Sequence, residues 1–464
     1  MADTKADLDR VLATVDADLD ASLERLFALL AIPSISTDPA YKAECRRAGQ
    51  WLVEDLEGLG FTAKLNETPG HPVVTARSEG GAPRRVMFYG HYDVQPVDPL
   101  ELWNTPPFEA QLVTAEDGRK RIVARGSADD KGQIMTFIEA CRAWKKVAGA
   151  LPVEVTLMLE GEEESGSLNL PPFVAANREA LAADLALVCD TGMWDRETPA
   201  ITVSLRGLMH EEIVVHCADR DLHSGYYGGA AQNPLHVIAK IIADVHDADG
   251  RVTIPGFYDN VRETPDEVKQ QWAGLGMTAE NFLGPIGLSV PSGEKDRMLI
   301  ELVSSRPTFE VNGMWGGYTG AGSKTVIPSI ATAKISCRLV ADQDPLHVRD
   351  VVRAFIKARI PADCRVEFRG GEGSRAVAVS HDSPDLGKAA QALADEWGKA
   401  PFTIGAGGSI PIVGHFKKQL GQDSLLVGFS LDDDRIHSPN EKYDLTSFHK
   451  GIRSWARILH ALAN

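Results

Sequence analysis

Short apolar runs that end in polar residues constrain this chain most. Segments 72-PVVTARS-78, 85-RVMFYG-90, 153-VEVTLMLEG-161 and 185-LALVCD-190 read as strands. Between two of them, 131-KGQIMTFIEACRAWKKV-147 reads as a helix. Near-continuous apolar strands that alternate with helical patterns belong to a mostly parallel sheet flanked by helices. The predicted fold class is therefore α/β. At 464 residues the chain exceeds one core of ordinary size, so two domains are expected.

The pattern changes near residue 205. Segments 209-MHEEIVVHCAD-219, 330-IATAKISCRLV-340 and 364-CRVEFRG-370 read as strands, and 234-PLHVIAKIIADV-245 and 346-LHVRDVVRAFIKARI-360 as helices. From about residue 381 the first style returns, with helices at 384–398 and 445–462. The expected division is a first domain in two parts, 1–205 and 381–464, interrupted by a smaller α/β domain, 206–380. Leu8, Val11, Leu12, Val15, Leu19, Leu23, Leu26 and Leu30 predict one long amphipathic helix ending before Pro33. Residues 49–59 predict a second helix, closed by Gly60; residues 250–300 are punctuated by Pro and Gly and are assigned to no element.

A formal net charge of -17 leaves no basic footprint for nucleic acid. No apolar run approaches the ~18 residues of a membrane span. The start, MADTKADLDR, lacks the apolar stretch of a secretory signal. Cys45, Cys141, Cys189, Cys217, Cys337 and Cys364 form no CxxC pair. Scattered thiols suit a reducing cytoplasm, the expected location.

Chemistry-bearing residues follow the strands. In 87-MFYGHYDVQPV-97, His91 and Asp93 stand two apart, a spacing that puts them on one side of an extended chain. Asp93 can then accept from the imidazole and aim its other nitrogen outward, as behind a metal-bound histidine. A solvated strand edge would carry the same residues. Two aspartates in 125-RGSADDKGQ-133 precede the helix, where an ordinary N-terminal cap would also place them. In 160-EGEEESGS-167, Glu160, Glu162, Glu163 and Glu164 crowd one loop. Two like charges 4 Å apart repel by ~4 kcal/mol at an effective dielectric of 20, so such a loop splays or binds cations. Asp190 ends a fourth strand, and 435-RIHSPNEKYD-444 adds His437. Ligand sites of α/β sheets gather beyond the carboxyl ends of strands. Two histidines with several carboxylates and no thiolate suit a hydrolytic dinuclear site for Zn²⁺ or Mn²⁺.

The ordered motifs GHYDVQP, RGSADDKG, EGEEESGS, CD at 189–190, DLHSGYYGG and HSPNE carry a resemblance. The chain resembles the di-zinc metallopeptidase family of cytosolic nonspecific dipeptidase, carnosinase, aminoacylase and succinyl-diaminopimelate desuccinylase. It is nearest the dipeptidase/carnosinase branch, over roughly residues 25–460. The resemblance implies His91 and Asp190 on one metal, Glu164 and His437 on a second, and Asp129 bridging both, with a cis peptide bond after it. It implies Asp93 as orienter of His91 and Glu163 as general base. Segment 206–380 would be a lid and dimerisation domain, and His223 would reach the partner subunit's site in a homodimer. Arg338 would clamp the substrate's C-terminal carboxylate, and Thr325, Ser409 and His381 would line the same pocket. The implied cofactors are two divalent ions per subunit, zinc first and manganese as the alternative. The implied substrate is a dipeptide. An Asp at position 190 favours peptidase action in this family over the alternative, an N-acyl-amino-acid deacylase. A third reading, a non-catalytic metal-binding scaffold dimer, is opposed by the completeness of the motifs.

Overall fold

The computed structural model describes residues 4–378, 383–406 and 410–464. The chain forms two compact units. One comprises Met1–Val203, Val379–Ile404 and Ile412–Asn464; the other comprises Ser204–Ala378 and Gly405–Pro411.

In the first unit a sheet runs in the order Phe61–Asn66, Val73–Ser78, Glu154–Glu160, Arg85–His91, Leu185–Val188, Asp423–Leu426, Ala200–Leu205. Its centre is parallel: Arg85–His91 pairs with Glu154–Glu160 on one side and Leu185–Val188 on the other, and Asp423–Leu426 continues beside the latter. The marginal pairings are antiparallel, among them the neighbouring strands Phe61–Asn66 and Val73–Ser78, which a short connection joins. This is the predicted α/β fold with a mostly parallel central sheet. The central strands are apolar throughout because both faces are covered: Met87, Phe88, Tyr89, Leu157, Leu159 and Leu187 are fully buried.

Helices Lys131–Ala148 and Leu445–Ala463 supply part of that cover. Phe448, Ile452, Trp455 and Leu459 place one apolar stripe of the second helix in the core. Phe88 stacks on Phe137 with centroids 3.8 Å apart, and Trp455 meets both edge-on. Truncating such a ring to alanine costs about 3–5 kcal/mol. The carboxyl ends of all four parallel strands therefore sit on a rigid base.

The apolar stripe over residues 8–30 forms two helices rather than one, Thr4–Ala17 and Leu19–Leu30. The break falls at Asp18, whose ψ of 10 is not helical. There the chain tracks helix Lys131–Ala148: Lys146 reaches Asp18 at 2.6 Å, and Ser22 and Arg25 reach Glu139 at 2.8 and 2.7 Å. The next helix starts at Lys42, earlier than its apolar spacing indicates, behind a turn capped by Asp38.

The second unit holds a four-stranded antiparallel sheet, in the order Thr308–Gly316, Ile330–Leu339, Gly207–His216, Arg365–Arg369. Helices Pro234–Ala243 and Pro345–Lys357 share its core through Val237, Ile241, Val348 and Val352, packed with Ile213 and Ile335. Residues 250–300 contain the short helices Asp266–Ala273 and Ala279–Leu283. No helix among the described residues is long and apolar enough to cross a membrane.

Candidate metal centre

His91 closes the strand Arg85–His91 and is buried. Its main-chain N–H donates to Asp130 Oδ2 at 3.1 Å. Gly90 makes that approach possible: a Cβ there would lie 2.3 Å from Ile134 and 2.7 Å from Asp130 Oδ2. His91 Nδ1 lies 3.1 Å from the Asp93 main-chain carbonyl and 3.5 Å from its carboxylate. The strand ends at His91, and the carbonyl of Asp93 turns toward the ring more closely than the side chain does. With Nδ1 donating to Asp93, Nε2 faces Asp129 Oδ1 at 3.0 Å.

Asp129 lies just before helix Lys131–Ala148, and its peptide bond to Asp130 is cis. Its second oxygen, Oδ2, is 2.9 Å from His437 Nε2. The turn that carries Asp129 is held by Glu441, which is fully buried. Glu441 accepts from Arg125 Nη1 at 2.7 Å and from the main-chain N–H groups of Gly126, Ala128 and Asp129 at 2.9, 2.9 and 3.1 Å. Four donors on one carboxylate fix the turn more firmly than apolar packing of so polar a segment could.

The acidic run after Glu154–Glu160 divides its carboxylates. Glu160 turns inward and accepts from Ser167 Oγ. Glu162 accepts from Asn169 Nδ2 at 3.0 Å and from the His71 N–H at 3.2 Å. Glu163 and Glu164 are held from behind, because their N–H groups donate to the two oxygens of Asp93 at 3.2 and 3.0 Å. Ser36 Oγ adds a third donor to Asp93 at 2.6 Å. Glu164 Oε2 accepts from Gln95 Nε2 at 2.7 Å and lies 3.3 Å from His437 Nε2. Asp190 follows the strand Leu185–Val188, and His437 lies on the loop after Asp423–Leu426, with φ of 64.

Among the described residues, two groups of possible ligand atoms result. His91, Asp129 and Asp190 form one, and Asp129, Glu164 and His437 the other; within each, the atoms lie within 4.8 Å of one another. Asp129 belongs to both. Imidazole and carboxylate without thiolate is a donor set for zinc or manganese. The electrostatics fit a cation as well. Hydrogen bonds to Asp129 and then Glu164 push His437 up to about 10. Burial works against a charged His91, yet the hydrogen bonds to Asp129 and Asp93 outweigh it and hold its pKa well above the ordinary 6.5. Burial, with the charge of Asp129 next, pushes Asp190 up to about 7. Burial also pushes Glu163 up to about 9, with Asp190 and Glu164 adding to it against His91. Protons on the imidazoles thus stand where the carboxylates call for positive charge.

His223, Thr325 and Arg338 lie in the second unit. His223 is exposed and pairs with Val326 in a two-stranded ladder, where the Ser224 N–H donates to the Thr325 carbonyl at 3.0 Å. Arg338 sits on the strand Ile330–Leu339 and lines a cavity of about 1080 Å³ with Arg206, Glu310, Asn312 and Ser336. Burial, then the charge of Arg338, lowers Arg206 to about 10. His381 and Ser409 lie outside the described residues. Sequence reasoning did not single out Glu441, Gln95 or Ser36, and it noted Asp130 only as the neighbour of Asp129. For Glu441 a signal existed, since it ends the HSPNE motif that supplies His437.

The profile of Peptidase family M20/M25/M40 matches residues 87–461, which include every residue of both ligand groups. The chain belongs to that family. Within it, the Cys-Gly metallodipeptidase DUG1 of Candida albicans is 31% identical, over 98% of this chain and 97% of its own length. The Beta-Ala-His dipeptidase of Homo sapiens is 26% identical, over 98% of this chain and 93% of its own. Among solved structures, the di-peptidase Dug1p from Saccharomyces cerevisiae superposes with a TM-score of 0.85 at 25% identity, covering 98% of each chain. These M20 relatives agree with the dipeptidase/carnosinase resemblance read from the motifs.

Proposed function

We propose that this chain is a metallodipeptidase that hydrolyses dipeptides with a free C-terminal carboxylate at a dinuclear centre. One observation carries the proposal: two ligand groups share the carboxylate of Asp129. His91, Asp129 and Asp190 would hold one ion, and Asp129, Glu164 and His437 the other. Two divalent cations, zinc or manganese, supply Lewis-acid activation of the attacking water and the scissile carbonyl when bound.

Glu163 would take the proton from the attacking water and return it to the leaving amine. Its N–H bond to Asp93 supports that role, because the same carboxylate holds Glu164 and faces His91. One residue thus sets the base in register with ligands of both ions. His223 Nδ1 accepts from the Gly225 N–H at 2.9 Å, which in a neutral ring leaves the proton on Nε2. That donor suits oxyanion stabilisation in the site of a partner subunit. Arg338 would clamp the C-terminal carboxylate with its planar fork. Free thiols throughout suit a cytoplasmic enzyme.

The test is turnover by metal-reconstituted protein on Ala-Leu and β-Ala-His against N-acetyl-Leu and N-succinyl-diaminopimelate. Hydrolysis of the free-amine dipeptides alone is expected. Hydrolysis of the acylated pair alone would overturn the substrate class and leave the centre standing.

A further inference from the structure

We infer that Lys442 is a positioning residue that locks the His437 loop to the Asp129 turn, and so sets how tightly the second metal position binds. The inference rests on the proposed dinuclear centre.

The loop between Asp423–Leu426 and Lys442–Asp444 takes a left-handed backbone at three non-glycine residues, Arg435 (φ 58), His437 (φ 64) and Asn440 (φ 62). Such residues hold that conformation only where the surroundings impose it. Packing does not impose it at His437, whose side chain is 54% exposed. Asn440 is pinned by its own side chain, which accepts from the Asn104 N–H and donates to the Leu102 carbonyl, each at 2.7 Å, and the rest of the constraint comes from Lys442. Lys442 Nζ lies 2.5 Å from Asp434, 2.8 Å from Asp433 and 3.0 Å from Asp444. The Lys442 N–H donates to the Asp434 carbonyl at 2.9 Å, and Asp434 Oδ2 accepts from the Leu431 N–H at 2.7 Å. A single ammonium, almost fully buried, therefore ties Asp433 and Asp434, which precede the left-handed residues, to Lys442, which follows them.

The preceding residue completes the link. Glu441 accepts the four donors around the Asp129 turn, while Lys442 bonds the loop carboxylates. One dipeptide thus joins His437, on its loop, to Asp129, on its turn. Other cations do not replace the lysine. Arg196 reaches Asp433 and Asp444, and Arg121 reaches Asp444, but Asp434 has no other cation among the described residues. Without Lys442, buried Asp434 would keep only the Leu431 N–H as a charge-stabilising partner, and the loop would open to hydrate it. Lys442 bonds none of His437, Asp129 and Glu164, so it acts through the backbone.

A merely structural lysine would weaken the whole unit and both metal positions alike. The experiment is calorimetric titration of Zn²⁺ into metal-free, full-length wild type, Lys442→Met, Lys442→Arg, His437→Ala and His91→Ala, with circular dichroism melts as the check on folding. The expected result is two ions on wild type and at least a tenfold weaker second ion on Lys442→Met. The first ion should bind that variant as in wild type. Its isotherm should approach that of His437→Ala and differ from that of His91→Ala, and Lys442→Arg should recover part of the loss. Wild-type affinity at both positions of Lys442→Met, or equal loss at both, overturns the inference. If Lys442→Met does not fold, Asp433→Asn decides: its side chain is 48% exposed, and a several-fold loss confined to the second ion is expected. Unchanged or uniformly weakened binding there overturns the inference. Fewer than two ions on wild type overturns the dinuclear centre and this inference together.

Discussion

Asp129 presents one carboxylate oxygen to His91 Nε2 at 3.0 Å and keeps its other oxygen, 2.9 Å from His437 Nε2, on the far side. The two imidazoles fall in different groups of possible ligand atoms. They approach one carboxylate from two sides, which is what a bridging ligand needs. Asp129→Asn should therefore weaken both metal positions at least tenfold, because a carboxamide offers one oxygen where two are used. His437→Ala should weaken one. Metal stoichiometry after dialysis against trace Zn²⁺ distinguishes the two outcomes.

Metal uptake should release protons. Without metal, His437 holds its proton up to about pH 10, and His91 holds its own well above the ordinary range. Asp190 is held up to about 7. Every ligand must bind deprotonated, so each ion displaces protons and affinity rises with pH over this range. Near neutral pH, more than one proton per protein should be released on full loading. Titration in buffers of different ionisation enthalpy measures the number. Zero release would show that the imidazoles are neutral before metal arrives.

Glu441 should matter for folding more than any ligand does. Its pairing with Arg125 at 2.7 Å joins two side chains that are 0% and 1% exposed. Removing one partner of a buried pair leaves the other charge uncompensated, which costs about 3–5 kcal/mol. Glu441→Ala should lose stability of that order in urea unfolding, and the three N–H groups it satisfies add to the effect. His437→Ala, on an exposed loop side chain, should lose far less in the metal-free protein.

The ends of the central strands were legible because buried parallel strands are apolar until they stop. His91, Glu163, Glu164 and Asp190 each follow such a run, and a parallel sheet brings those ends to one edge. Asp129 and His437 lie on turns and needed the ordered motifs. The supports were legible only in part: Asp93 as a partner of His91, and Glu441 as the end of the HSPNE motif. Glu441 and Asp93 act on main-chain N–H groups far away in sequence, and a main-chain donor leaves no mark on the residue that carries it. The strand Gln111–Thr114 is exposed throughout and shows no apolar period. Helix Thr4–Ala17 and its successor share one apolar stripe, so nothing in the spacing marks the break at Asp18.

Glu163 and His223 give the sharpest test of the proposed assembly. Glu163→Ala should cut kcat by at least about a hundredfold, the usual contribution of a general base, while two ions remain bound. His223→Ala should lower kcat with little change in KM, since an oxyanion donor acts on the transition state. If His223 serves the partner subunit's site, a mixed dimer of the two variants keeps one intact site, made from Glu163 of one chain and His223 of the other. Random exchange in an equal mixture should then restore about a quarter of wild-type activity, since half of the dimers are mixed and each holds one working site of two. Light scattering establishes the dimer, and labelled subunits establish that exchange has occurred. Exchanged mixtures that stay inactive would place His223 in the site of its own chain or outside catalysis.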